Sequence, residues 1–263
     1  MVKQPNCECI VVDYNCPQKT ADWVEQNYPQ VKVVRVTDDD GWIISRARNL
    51  GAKAATSEWL IFIDADIRLV GDLTGWLSPG LAQGSFFRAG ITREKMDNFG
   101  TVACHRDDYA KTGGYDELLR GWGKEDNDFY YQLRTTGCTQ HFFPADLLNP
   151  IAHSDEERTQ FSPYKVRWVS HIISSLYLQM KYDTDLLQPE SATLEMHQKL
   201  YDHARQNVQQ YIARGGGSPG DQTSMEVIIS LGDHPGMPSQ SPVWGIERKL
   251  VYTLSPHAFT PAE

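Results

Sequence analysis

The sequence contains no long hydrophobic run and no excess of basic residues, and each absence excludes a class of protein. No apolar stretch approaches the roughly 20 residues needed to cross a bilayer, and the N-terminus from Met1 to Asn6 lacks the apolar core of a signal peptide. We therefore expect a soluble, cytoplasmic protein without a membrane span. The 25 Lys and Arg against 34 Asp and Glu give a formal net charge of −9, which disfavours a nucleic-acid partner because phosphate binding usually requires a basic face.

Paired cysteines are also missing. The five cysteines are odd in number and contain no Cys-x-x-Cys pair, so the sequence indicates neither a disulfide framework nor a structural zinc site. We expect the thiols to be reduced. With 40% hydrophobic and 22% charged residues, the 263-residue chain has the composition of an ordinary globular protein.

The first 70 residues alternate short apolar runs with polar, helix-forming stretches. This pattern predicts two helices, one over 20–27 and one capped by Ser45, between strands at 10–12, 31–36 and 59–63. Because strands separated by helices form βαβ units, we expect an α/β fold with a mixed, mainly parallel sheet flanked by helices. Ligands bind such sheets at the carboxyl ends of the strands.

The alternation of apolar runs and polar stretches is less regular after Asp66. Short strands are predicted at 85–88, 102–104 and 140–143, and helices at 125–134, 163–181 and 189–213. A Gly- and Ser-rich segment over 215–220 then interrupts the chain, and the tail beyond it has one predicted strand, at 226–231. We assign residues 1–182 to the main domain and residues 183–263 to a helical extension with an irregular tail.

Two carboxylates, Asp64 and Asp66, directly follow the most hydrophobic predicted strand. They should therefore emerge where the sheet ends and a binding pocket begins. Carboxylate oxygens suit Mg²⁺ or Mn²⁺, ions that keep coordination positions for substrate phosphates. The alternative interpretation is a loop with two solvated acids.

A second motif, Gly121-Trp122-Gly123, precedes the acids at the start of the helix predicted from Glu125. The glycines let the backbone bend and expose the indole ring as a stacking platform, and the helix dipole favours acids in the first turn. A stacking surface beside a carboxylate is what a catalytic site for sugars requires. A charged helix start after a glycine turn is the alternative, but it leaves the tryptophan unexplained.

Together with Arg48-Asn49-Leu50-Gly51-Ala52, these two motifs occur in an order that resembles the inverting glycosyltransferases of the GT-A fold. The sequence is most similar in this respect to family 2 and to the galactosyltransferase and chondroitin-polymerase relatives that carry a Gly-Trp-Gly-x-Glu-Asp motif. The resemblance extends over about residues 8–160. It implies a GT-A, Rossmann-like nucleotide-diphospho-sugar transferase fold, here with a C-terminal helical extension.

The resemblance also implies roles on the donor side. Asp66 would bind a divalent ion, Mn²⁺ or Mg²⁺, that bridges the diphosphate oxygens, and Asp64 would face the ribose or the metal. His153 sits where the family places a third metal ligand, with His141 as its rival. Arg48 and Asn49 would line the donor pocket. One acid of the run 38–40 would approach the base or ribose; we let Asp39 represent the three, although the run is equally a solvated turn.

On the acceptor side, the resemblance makes Asp126 the general base, with Trp122 and Glu125 shaping the acceptor site. The implied reaction is a single displacement that inverts the anomeric carbon, with a nucleotide sugar as donor, UDP favoured, and a saccharide or other hydroxyl compound as acceptor. The alternatives are a transferase of the same fold acting on a macromolecule, such as a modified DNA base or a peptide, and a non-catalytic nucleotide-sugar binder.

Overall fold

The computed structural model describes residues 4, 6–39, 41–90, 98–152, 154, 157, 160, 164, 166–189, 192–215, 222–233 and 245–254. The chain divides into two compact units, residues 1–167 and residues 168–263.

The N-terminal unit begins with the predicted βαβ arrangement. Strand β1 (Ile10–Asp13) leads into helix α1 (Thr20–Asn27), strand β2 (Lys32–Arg35) and helix α2 (Ile44–Ala54). Strands β1 and β2 are parallel, with Ile10 opposite Lys32 and Asp13 opposite Arg35. The alternation of apolar runs and polar stretches therefore predicted both the elements and their parallel pairing.

The rest of this unit is built from short elements. They are β3 (Trp59–Phe62), β4 (Ile67–Leu69), α3 (Leu73–Leu77), β5 (Ser85–Gly90), β6 (Val102–His105), α4 (Arg106–Thr112), α5 (Glu125–Thr135), β7 (Thr139–Pro144) and β8 (Leu148–Pro150), with 3₁₀ turns at Ser78–Gly80 and Ala145–Leu147. A four-stranded sheet has the order β3-β6-β5-β7, and β4 pairs with β8.

The fold is mixed α/β as predicted, but the four-stranded sheet is not mainly parallel. Strand β5 is parallel to β7, whereas β6 is antiparallel to both β3 and β5. A parallel connection needs a crossover of a dozen or more residues, and only residues 91–101 separate β5 from β6. The short connection therefore accounts for the antiparallel pair.

An aromatic core fixes helix α5 against the sheet. Phe129, Tyr130 and Leu133 form the buried face of the helix, as their spacing predicted, and pack with Phe86 and Val102. This packing holds the first turn of α5 in place.

Ser45 does not cap α2, contrary to the prediction. The residue before the helix is Ile43, in an extended conformation, and Ser45 lies inside the first turn. The Ser45 side chain is buried, and its Oγ has no hydrogen-bond partner among the described residues. Tertiary packing of this face of α2 therefore outweighs the capping preference of serine.

The second unit contains helices α6 (Arg167–Leu187) and α7 (Leu194–Ala213), which correspond to the two long predicted helices. The predicted domain boundary after residue 182 falls within α6. The tail differs from the expected irregular segment with one strand, because β9 (Thr223–Asp233) and β10 (Gly245–Leu254) form an antiparallel pair. Among the described residues, no helix combines the length and the hydrophobicity that crossing a membrane requires.

Asp13 joins the end of β1 to the start of α1. Helix α1 has no side-chain cap of its own; instead the buried Asp13 carboxylate accepts hydrogen bonds from the backbone N–H groups of Cys16 (2.7 Å) and Ala21 (2.7 Å). We expect Asp13→Ala to lower the free energy of unfolding by about 1–3 kcal/mol, because both donors lose a buried partner. Urea denaturation followed by circular dichroism measures the loss. Unchanged stability would contradict this role, and Asp22→Ala, at an exposed position of α1, is the control.

Candidate functional site

A buried guanidinium joins the two acidic motifs. Arg48 on α2 donates from Nη2 to Asp64 Oδ1 (2.7 Å) and from Nη1 to Asp126 Oδ1 (2.7 Å). The side chain of Arg48 is 8% exposed, that of Asp126 13% and that of Asp64 31%. Residues far apart in the sequence thus meet at one cation, and the cluster opens to solvent on the Asp64 side.

The Asp64–Asp66 segment lies at the carboxyl end of β3, where the sequence placed it. The backbone N–H of Ile67 donates to the Asp64 carbonyl (3.0 Å), which closes a turn around the two acids. The backbone N–H of Ile151 donates to the Asp66 carbonyl (2.7 Å), so the segment preceding residue 153 is anchored beside Asp66.

The acids Glu125 and Asp126 occupy the first turn of α5, after a loop of unusual backbone geometry. Gly121 and Gly123 have φ of 101° and 92°, values that glycine adopts without the strain of a side chain. Glu125 is buried, and its Oε1 lies 3.7 Å from Arg48 Nη1. The glycine-rich turn therefore delivers both carboxylates to the guanidinium.

Burial dominates the electrostatics of these acids. It raises the pKa of Asp126 to about 7; Arg48 opposes the rise, and Glu125 and Asp64 add to it. Burial also raises the pKa of Glu125, again opposed by Arg48. For Arg48, burial would lower the pKa, but the surrounding carboxylates outweigh it and hold the pKa above its usual value. A carboxyl group with a pKa near neutrality is suited to proton transfer.

Gly100 belongs to this site, and the sequence analysis missed it. A Cβ at this position would lie 2.8 Å from Asp64 Oδ2 and 3.0 Å from Asp126 Oδ2. A side chain at this position would therefore collide with both carboxylates, and glycine lets the backbone approach them. No motif marks Gly100 in the sequence, because the requirement arises only when the three segments meet.

Asn49 is engaged within the protein. Its Oδ1 accepts from Tyr109 Oη (2.7 Å) and the Tyr115 N–H (2.9 Å), and its Nδ2 donates to the Tyr115 carbonyl (2.9 Å) and Glu117 Oε1 (2.8 Å). These bonds fix the turn at Gly114, whose φ is 85°. A contact between Asn49 and the donor stays a prediction.

Asp39 lies in a separate polar group. It accepts from Tyr14 Oη (2.6 Å), Arg46 Nη1 (2.8 Å) and the Gly41 N–H (2.9 Å), and these bonds, that of Tyr14 first, lower its pKa to about 2. Asp38 is more exposed and pairs with Arg46, while Asp40 lies outside the described residues. Within the described part of the chain, no hydrogen bond or ion pair joins this group to the Arg48 cluster.

The Trp122 ring has a cationic neighbour, since the Arg167 guanidinium carbon lies 3.7 Å from the ring centroid. A cation–π contact of this kind occupies a face of the aromatic system. An acceptor sugar stacked on the same face would have to displace Arg167.

The expected metal site is described only in part. Asp64 and Asp66 are present, but His153 lies outside the described residues. Within the described ranges, no group of three His, Cys, Asp or Glu side chains could hold an ion. Carboxylates still suit Mg²⁺ or Mn²⁺, ions that keep coordination positions for phosphate oxygens. His141 lies on the outermost strand β7, exposed, with its ring stacked on Phe87 (centroids 5.1 Å apart).

Family comparisons agree with the site. Residues 1–73 match the model of glycosyl transferase family 2, and residues 91–154 match the model described as the N-terminal domain of galactosyltransferase. The first segment contains Arg48, Asp64 and Asp66, and the second contains Trp122 and Asp126. Each match covers less than a third of the chain, and the two together contain the residues of the donor and acceptor motifs. The comparison with curated proteins gave no match.

The solved structures to which this chain is similar include three glycosyltransferases. GalNAc-T7 with UDP, GalNAc and Mn²⁺ gives a TM-score of 0.47 at 16% identity over 82% of this chain and 54% of that chain. The mannosyltransferase PcManGT from Pyrobaculum calidifontis, in complex with GDP-Man and Mn²⁺, gives 0.44 at 16% identity over 80% and 67%. Drosophila β1,4-galactosyltransferase 7 with xylobiose gives 0.42 at 13% identity over 60% and 75%. This chain thus spans about half of the GalNAc-T7 chain.

We expect Arg48→Met to destabilise the protein by about 3 kcal/mol at neutral pH, because it leaves buried carboxylates without their cation. The sign of the pH dependence follows from the raised pKa values of Asp126 and Glu125. As pH falls through about 7, these groups protonate and their repulsion disappears, so the loss should shrink.

Urea denaturation at pH 8 and pH 5.5 measures this difference. Arg35→Met, which removes an exposed arginine with two carboxylate partners, is the matched control and should cost far less. Equal losses for the two variants, or a loss at Arg48 that grows in acid, would contradict the role assigned to the guanidinium.

Proposed function

We propose that this glycosyltransferase moves a sugar from a nucleotide-diphosphate donor, with UDP favoured, to a hydroxyl group of a saccharide acceptor, by a metal-dependent, inverting single displacement. The observation that carries the proposal is the Arg48 bridge. It brings Asp64 of the donor motif and Asp126 of the acceptor motif to one guanidinium. A donor held at the first acid and an acceptor held at the second would therefore meet at the same place.

On the donor side, Asp66 and Asp64 would hold Mn²⁺ or Mg²⁺, with His153 as the proposed third ligand. When bound, the ion would supply positive charge to offset the charge that develops on the departing nucleoside diphosphate. Arg48 adds a fixed cation to the same region. Asp39 and Asn49 are proposed to line the donor pocket; the Asn49 amide already makes four hydrogen bonds, so its contact with the donor would replace one of them.

On the acceptor side, Asp126 would accept the proton of the attacking hydroxyl. A hydroxyl group is a poor nucleophile at neutral pH unless a base removes its proton during attack. Asp126 Oδ1 accepts a hydrogen bond from Arg48, so Oδ2, which lies against Gly100, would be the oxygen that takes the proton. Attack from the face opposite the leaving group would invert the anomeric configuration. Trp122 and Glu125 would position the acceptor.

Asp66→Ala should abolish metal-supported donor binding, because the ion loses a carboxylate ligand next to the diphosphate. Calorimetric titration of UDP with and without Mn²⁺ measures it. Asp22→Ala, an exposed aspartate paired with Arg35, is the matched control and should bind like the wild type. Undiminished Mn²⁺-dependent UDP affinity in Asp66→Ala would overturn the assignment.

Asp126→Asn should retain UDP affinity and lose turnover by roughly 10²–10⁴-fold, the contribution of a positioned base. The amide keeps the shape of the side chain, so a loss confined to turnover separates proton transfer from packing. Donor binding and steady-state rates are measured on the same preparation.

The neighbouring acids test the choice of residue. Glu125→Gln and Asp128→Asn should both remain more active than Asp126→Asn. An active Asp126→Asn beside an inactive Glu125→Gln or Asp128→Asn would move the base to that neighbour. Wild-type rates in all three variants would reject the mechanism.

A further inference from the structure

A second arginine, Arg88 on β5, lies near the site without a carboxylate partner. Its guanidinium carbon is 4.7 Å from the centroid of the Phe99 ring, 5.0 Å from that of Tyr130 and 5.4 Å from that of Phe142. No described residue forms an ion pair or a hydrogen bond with it, and its Nε is buried without a hydrogen-bond partner. Among the described residues, the direct contacts of the charge are therefore with aromatic faces, which attract a cation without neutralising it.

The aromatic surroundings are ordered by the fold. Arg88 lies opposite Val102 on β6 and opposite Phe142 on β7, so the strand register fixes its backbone. The Tyr130 hydroxyl donates to the Phe99 carbonyl (2.5 Å), which ties two of the three rings together. The Arg88 side chain remains partly exposed. A guanidinium held in this way is preorganised and still open to a ligand.

Arg88 lies on the acceptor side of the site. Tyr130 follows Asp126 by one helical turn on α5, so both side chains project from the same face of the helix. Phe99, which covers Arg88, directly precedes Gly100, whose backbone lies against Asp126 Oδ2. Arg88 is therefore linked to the proposed base through Phe99 and Tyr130, and none of its three ring contacts involves the Asp64–Asp66 turn.

We propose that Arg88 binds an oxyanion on the acceptor, so that the preferred acceptor is an acidic saccharide bearing a carboxylate or a sulfate or phosphate ester near its reacting hydroxyl. The inference rests on the proposed function, because it assigns a substrate class to the same site. A guanidinium pairs with carboxylates and phosphates through two parallel hydrogen bonds, a geometry that an ammonium group does not provide. With a net charge of −9, the protein as a whole repels an anionic acceptor, so its capture requires a local cation.

The test compares acceptor probes that differ in the group at C6, which is neutral or anionic. Binding of methyl β-D-glucoside, methyl β-D-glucuronide and methyl β-D-glucoside 6-sulfate, together with the corresponding galactosides, is measured calorimetrically with UDP and Mn²⁺ present. We expect the wild type to bind at least one anionic probe about 10-fold more tightly than its neutral partner. Arg88→Gln should reduce that ratio to about one while leaving the affinity for UDP unchanged.

Two further variants separate charge, geometry and folding. Arg134→Gln removes a guanidinium from helix α5 whose hydrogen bond among the described residues is to a neutral amide, Gln140, and it should preserve the anionic preference. Arg88→Lys keeps the charge but not the bidentate geometry, so it should retain part of the preference, and it replaces Arg88→Gln if that variant does not fold.

The remaining outcomes overturn either this inference or the proposed function. Equal affinity of the wild type for every charged and neutral pair overturns the inference. A loss of UDP affinity in Arg88→Gln with an unchanged probe ratio also overturns it and assigns the guanidinium to the donor diphosphate. A wild type that binds neither UDP with Mn²⁺ nor another nucleotide sugar rejects the proposed function itself, whereas normal UDP binding without anionic preference rejects this inference alone.

Discussion

Burial of the Arg48 guanidinium is the constraint on which the site depends. A cation removed from water is stable only when carboxylates are held against it, and this one receives them from the end of β3 and the start of α5. The ion pairs therefore hold the two acidic motifs at one guanidinium, with each bonded oxygen 2.7 Å from an Arg48 nitrogen.

The charges in this cluster do not balance. Arg48 faces three carboxyl groups, those of Asp64, Glu125 and Asp126, and Glu125 and Asp126 have raised pKa values because burial opposes their ionisation. A site with more acids than cations favours the uptake of a proton or of a further cation. Both are required by the proposed reaction, one at the base and one beside the diphosphate. The excess of negative charge thus favours both the proton that the proposed base takes up and the cation proposed beside the diphosphate.

Whether a feature of the fold or the site could be predicted depends on how far apart its interacting residues lie in the sequence. The helix over 20–27, strand β3 and the buried face of α5 follow from local periodicity, and the sequence predicted them. The antiparallel pairs of the four-stranded sheet, the β9–β10 pair and the fate of Ser45 depend on contacts between distant segments, and the sequence analysis did not find them. The importance of Gly100 and Arg88 could not be predicted either. Neither residue lies in a motif, and the contacts that make each one important come from other elements.

The two arginines near Asp126 show how one residue type takes on two tasks. Arg48 is enclosed by carboxylates, so its charge is neutralised by ion pairs within the protein, and these pairs hold the site together. Arg88 is enclosed by aromatic rings, so its charge remains available to a ligand. No hydrogen bond or ion pair among the described residues joins Arg88 to Arg48 or to the carboxylates that Arg48 binds. A substitution at Arg88 therefore leaves the Arg48 bridge in place, and the choice of acceptor can change without disturbing the arrangement that carries out the reaction.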